Sequence, residues 1–184
     1  RQMRETIEYH VPDPTYRDRK RFGSAHTLLI GGGHSAATTA LALAKLAGDE
    51  PNTSFVWATR RESGAQLQPL PNDPLCERAK LVDQDRKLQT NPPPGSEWLA
   101  QTQLVAVWPE DQGIGVELEV NGTLRRDRFD HLVANVGYEP DDAIYRQLQV
   151  HECYASRGPM NLAAALLAES DDGPADCLAH AGFG

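Results

Sequence analysis

The chain has 184 residues, 40% of them hydrophobic and 24% charged, enough for one folded domain with a core of its own. A formal net charge of -8 at pH 7 argues against a general binder of nucleic acid or of anionic membrane surfaces. No apolar run approaches the ~20 residues that a membrane-spanning helix needs. The start, Arg1-Gln2-Met3-Arg4, is charged, lacks the apolar stretch of a signal peptide and does not begin with methionine. A piece of a longer protein, or a trimmed N-terminus, is the expectation. Cys76, Cys153 and Cys177 include no C-x-x-C pair, and the six histidines form no H-x-x-x-H pattern. Reduced thiols, a cytoplasmic location and no metal site are expected.

Residues 1–23 read as an irregular linker, broken by Pro12 and Pro14 and carrying the polar run Arg17 to Arg21. The apolar stretch His26 to Ile30 predicts a strand. Clustered glycines follow at once, then a helix from about Ser35 to Ala47, with Gly48 as its stop. Thr53 to Thr59 predicts a second strand, and this order implies a right-handed parallel crossover. A loop over 64–72 leads to a helix over 74–88, with Asp73 as its cap and Pro74 at its first position. Strands over 101–108, 115–120 and 124–128, separated by Asp111-Gln112-Gly113 and Asn121-Gly122, predict an antiparallel meander. His131 to Asn135 reads as a short buried strand. Helices are expected over 141–149 and 160–169, irregular chain over 151–158 and a loose tail over 171–184.

The spacing Gly31-x-Gly33-x-x-Ala36 stands between a strand and a helix, the context that a dinucleotide-binding turn requires. Gly31 permits the sharp turn. Gly33 has no Cβ, so a pyrophosphate can approach the backbone. Ala36 lets the helix pack closely on the strand. Free N–H groups at the helix start, around Ser35, then face the phosphates. A purely structural strand–helix turn is the alternative. His34, just past the glycines, reads either as a contact to a phosphate or the nicotinamide or as an ordinary polar residue of a first turn. The fold class is accordingly α/β: a Rossmann-type parallel sheet with flanking helices and an antiparallel β-meander.

The second strand ends Trp57-Ala58-Thr59-Arg60-Arg61. NAD and FAD sites usually place an acid at this tip, on the ribose hydroxyls. Here there is none, and Glu62 comes late. A guanidinium can instead make two charge-assisted hydrogen bonds to a 2′-phosphate. Arg60 and Arg61 are thus candidates for selecting NADPH, or else two solvated surface arginines. Trp57, Trp98 and Trp108 read as core or edge packing.

The glycine turn Gly31 to Ala36, the arginine pair, the meander and Val133-Ala134-Asn135-Val136-Gly137 together resemble the NAD(P)H-binding domain of the pyridine nucleotide-disulfide oxidoreductase superfamily. Thioredoxin-reductase-like and monooxygenase-like flavoproteins belong to it. The resemblance covers about residues 24–150, flanked by the linker 1–23 and by a C-terminal helix and tail over 151–184. It implies a module that binds NADPH, with NADH as the alternative, through Arg60 and Arg61 on the 2′-phosphate. It also implies that this module presents hydride to FAD held by another domain of the same polypeptide, since the chain carries one glycine fingerprint only. No residue is expected as acid, base or nucleophile, because the cofactors carry such chemistry; the isolated chain should be inactive. Two departures stand out. The C-x-x-C of thioredoxin reductases is missing, so the resemblance does not extend to dithiol chemistry. Gly137 lies where the family often has Ala-Thr-Gly, as a cofactor contact or as a connector. The rival readings are a stand-alone nucleotide sensor and a scaffold without catalysis.

Overall fold

The computed structural model describes residues 7–61, 67, 75–138, 143, 151–152 and 158–169. In chain order these form β1 (Ile7–Glu8), α1 (Arg19–Phe22), β2 (His26–Ile30), α2 (His34–Asp49), β3 (Ser54–Ala58) and α3 (Cys76–Thr90). There follow β4 (Glu97–Leu99), β5 (Thr102–Pro109), β6 (Ile114–Val120), β7 (Thr123–Phe129), β8 (His131–Ala134) and α4 (Met160–Glu169). One sheet is parallel throughout, in the order β1-β8-β2-β3-β4; the other is the antiparallel meander β5-β6-β7.

The parallel sheet is covered on both faces, and alternation along its strands decides which side chain goes where. Leu29, Phe55, Trp57 and Val133 point to one face, where Ala37, Ala40, Leu43 and Leu46 of α2 and Val82 and Leu88 of α3 cover them. Leu28, Val56, Ala58 and Leu132 point to the other, against Ile114, Val116, Leu118 and Phe129 of the meander. The result is three layers: helices, parallel sheet, antiparallel sheet. This is the α/β architecture expected.

Several expectations need correction. The segment 1–23 is not simply irregular. Ile7 and Glu8 add an edge strand beside Leu132 and Val133, and Phe22 ends a helical turn with its ring fully buried. Burying such a ring contributes about 1.5–3 kcal/mol, which ties the segment to the core. Helix α2 does not stop at Ala47 but runs through Gly48 to Asp49. Gly48 keeps ordinary backbone and makes no left-handed cap. Arg19 holds the helix end instead, with Asp49 at 3.2 Å and Glu50 at 3.0 Å. Helix α3 starts at Cys76, after an N-cap Leu75 that offers no side-chain bond; Asp73 and Pro74 lie outside the described residues. Strand β4 was not foreseen, because three residues carry no readable period. Helix α4 occupies its expected span. The helix expected over 141–149 lies outside the described residues apart from Ala143, as does the tail 171–184. Two compact units divide the chain, Arg1–Gly137 and Tyr138–Gly184.

Candidate functional site

The parallel strands leave the sheet at one edge, and the turns that follow them enclose a cavity of about 690 Å³. Small-molecule sites typically measure ~300–1,000 Å³, and in open α/β sheets they lie at the carboxyl ends of the strands. Four segments line this one. They are the glycine turn with the start of α2, the tip of β3, the first residues of β5 and the turn from Asn135 to Gly137.

The glycines differ in what they do. Gly31 has φ of 141°, and a Cβ there would lie 2.1 Å from the Asn135 carbonyl oxygen. Its N–H donates to the Ala58 carbonyl at 3.1 Å, and its carbonyl accepts from the Trp57 indole at 2.8 Å. The fold itself therefore requires glycine at 31. A Cβ on Gly33, by contrast, would meet no atom within 4 Å, and its φ of -94° suits any residue. No described residue fills that space. Gly33 is also the N-cap of α2 and has no side chain with which to cap it. Ala37 is the first residue to bond back, to the Gly33 carbonyl at 3.0 Å. The N–H groups of His34, Ser35 and Ala36 thus precede the helical ladder, at the positive end of the helix dipole. His34 is exposed and Ser35 half-buried, both on the cavity wall. Ala36 is fully buried and off the wall, against Gly31, as close helix–strand packing demands.

Arg60 and Arg61 are exposed at the cavity's edge. Buried Thr59 sets their position. Its N–H donates to the Leu99 carbonyl and its own carbonyl accepts from the Thr102 N–H, both at 2.9 Å. Its hydroxyl accepts from the Trp98 indole at 3.1 Å. The tip of β3 is thereby clamped between β4 and β5. Glu62 lies outside the described residues. Gly137 has φ of 94°, which favours glycine, and a Cβ there would meet no described residue within 4 Å. The fold thus brings Gly31, Gly33, His34, Ser35, Arg60, Arg61 and Gly137 to one cavity and leaves Ala36 behind it.

Thr102, Gln103 and Leu104 also line the cavity and were not singled out in the sequence. They reach it only because the meander folds back over the sheet, and no local pattern announces that. On α3, Asp85 is buried. Its Oδ2 accepts from the Gln89 amide at 2.9 Å, and its Oδ1 has no hydrogen-bond partner among the described residues. Burial pushes the Asp85 carboxyl up, opposed by the Gln89 bond and by the charges of Arg86 and His34. Cys76 is an exposed free thiol. No helix among the described residues is long and apolar enough to cross a membrane.

No protein-family model matches this sequence, and no curated protein matches it. Solved structures do. The chain is similar to bacillithiol disulfide reductase from Bacillus cereus, at 14% identity and a TM-score of 0.61, over 84% of this chain and 40% of that one. The same reductase from Staphylococcus aureus matches at 16% identity and a TM-score of 0.61, over 84% and 41%. Thioredoxin reductase from Lactococcus lactis matches at 18% identity and a TM-score of 0.53, over 79% and 41%. The fold is that of part of a thioredoxin-reductase-like enzyme. The resemblance to the pyridine nucleotide-disulfide oxidoreductases read from the sequence therefore extends to the fold. The chain spans about two fifths of the length of these reductases.

Proposed function

We propose that this chain is the nicotinamide-dinucleotide-binding domain of an FAD-dependent oxidoreductase and that it prefers NADPH. One observation carries the reading: the unfilled space over Gly33, at the uncapped start of α2, inside the cavity that Arg60 and Arg61 border. Gly48 is equally free of strain and crowding, but Gly33 alone of the two lies on the cavity, where its bare backbone can meet a ligand. The pyrophosphate fits there, held by the N–H groups of His34 and Ser35. The 2′-phosphate fits the guanidinium groups of Arg60 and Arg61. Gly137 lines the same cavity. When bound, the nicotinamide supplies a hydride to a flavin, which this reading assigns to another domain, reached through residues 151–184. The chain's own part is to bind and orient. A cytoplasmic location belongs to the same reading, supported by cysteines without disulfide-like or redox-pair spacing.

Calorimetric titration at low salt tests this. Charge-assisted bonds to the extra phosphate should favour NADPH over NADH by roughly 10- to 100-fold. Replacing both Arg60 and Arg61 with alanine should abolish that preference and leave NADH nearly unchanged. Added salt should weaken NADPH more steeply than NADH. Equal affinities in the unaltered chain would remove the arginines from the site. Failure to bind either dinucleotide, alone and joined to a flavin domain, would end the reading.

A further inference from the structure

Asn135 follows β8 directly, and it joins three other parts of the molecule. Its N–H donates to the Ile30 carbonyl at 2.8 Å, at the tip of β2. Its Oδ1 accepts from the Thr39 hydroxyl at 2.8 Å, on α2. Its Nδ2 donates to the His10 carbonyl at 3.2 Å, just beyond β1. Its carbonyl oxygen occupies the ground that a Cβ on Gly31 would need. Only 6% of Asn135 is exposed, and Thr39 is fully buried. The single proton of the Thr39 hydroxyl is shared, in a three-centre bond, with the Ser35 carbonyl 3.0 Å away in the first turn of α2. A continuous path thus runs from the end of β8 through Asn135 and Thr39 to Ser35. Both ends of that path, Asn135 and Ser35, line the cavity.

Strand packing alone does not call for an amide here. An apolar side chain would avoid the cost of burying polar groups, which is recovered only when each finds a partner. The Asn135 amide finds both partners, and both are distant in sequence.

We infer that Asn135 is a positioning residue for the bound dinucleotide. Through Thr39 it holds the first turn of α2 at a set distance from the end of β8, and so aims the N–H groups of His34 and Ser35 at the pyrophosphate. This rests on the dinucleotide reading above and adds a selective claim to it. The pyrophosphate end of the site depends on Asn135 and Thr39. The 2′-phosphate end depends on Arg60, Arg61 and the Thr59 clamp, and does not.

The test uses three variants of the whole chain, Thr39→Val, Thr39→Ser and Asn135→Ala, titrated with NADPH, NADH and 2′-AMP. Thr39→Val is nearly isosteric and removes only the hydroxyl; Thr39→Ser keeps it. Thr39→Val and Asn135→Ala should weaken NADPH and NADH by the same factor, about five- to tenfold, the scale of one hydrogen bond. The affinity for 2′-AMP, which has no pyrophosphate, should stay unchanged, and Thr39→Ser should bind like the parent. Combining Thr39→Val with Asn135→Ala should cost little beyond either alone, because both break one link. Lowered melting temperatures with unchanged dinucleotide affinities would overturn the inference, as would equal weakening of 2′-AMP. Should Asn135→Ala not fold, the Thr39 pair decides by itself. A parent chain that binds none of the three ligands overturns the dinucleotide reading, and this inference with it.

Discussion

The two ends of the parallel sheet are built from the same strands and differ in what they do with their polar groups. At the amino end, they close on one another. The His26 N–H donates to Asp130 at 2.7 Å, its ring nitrogen Nδ1 lies 2.7 Å from the Ser54 hydroxyl, and the Ser54 N–H donates to the Ala25 carbonyl at 3.1 Å. The His131 ring meets the Arg21 carbonyl at 2.8 Å. At the carboxyl end, the start of α2 has no cap, Gly33 borders open space, and two exposed arginines border a cavity. Polar groups that satisfy each other across distant parts of the chain hold a fold together. Polar groups that line a concavity are within reach of a ligand. The amino end is held by bonds among its own strands, whereas the carboxyl end combines such bonds with a cavity, where the proposed site lies.

The largest expected effect separates two glycines of the same turn. Gly31→Ala should cost about 3 kcal/mol or more of stability, because its Cβ would overlap the Asn135 backbone at a strained φ. Chemical denaturation measures that loss. Gly33→Val should keep the fold and cut dinucleotide affinity by at least about tenfold, or 1.4 kcal/mol. Were the two to behave alike, the open space over Gly33 would have no functional meaning. At the closed end, Ser54→Ala removes the partner of His26 and should cost about 1 kcal/mol, read as a lower melting temperature. It should leave NADPH affinity untouched. A change in affinity there would blur the contrast between the two ends.

The smallest effect concerns Asp85, which belongs to neither end. Its carboxyl is raised above the ordinary value of 3.8 in the folded chain, chiefly by burial. The folded state therefore holds that proton more tightly than the unfolded state. Its contribution is fully present below about pH 4 and is lost as pH rises through the raised folded value. Asp85→Asn keeps the shape and cannot ionise. It should match the parent in acid and become the more stable of the two towards neutral pH, by on the order of 1 kcal/mol or less. Denaturation across pH 4 to 7 shows whether the gap opens in that direction.

The elements that could be read in advance share one property: their signal is local. Strand β2, the glycine turn and α2 follow from apolar period and glycine spacing. The meander follows from alternation and from Asn121-Gly122, and α4 from a run of good helix formers. Gly31, Gly33, Arg60 and Arg61 were legible as a group because a turn and a strand tip place them within a short stretch of chain. The site's other features depend on partners far away. Thr102 to Leu104 reach the cavity only once β5 folds over the sheet. Strands β1 and β4 exist only because a sheet edge is there to pair with.

By itself, then, the sequence determined an α/β chain with one glycine turn, one arginine pair and a hairpin-built second sheet. Periods of 2 and 3.6 residues and the chemistry of a two-residue turn are short-range effects, felt before any tertiary contact forms. Only the tertiary structure decided that the Asn135 carbonyl leaves no room for a Cβ at Gly31, that Asp85 is buried, and that Asn135 links the site to the N-terminal segment. The Asn135 bonds span 96 positions to Thr39 and 125 to His10. Such a bond forms only when the packed layers bring distant backbone together, so no pattern in the neighbouring residues could announce it.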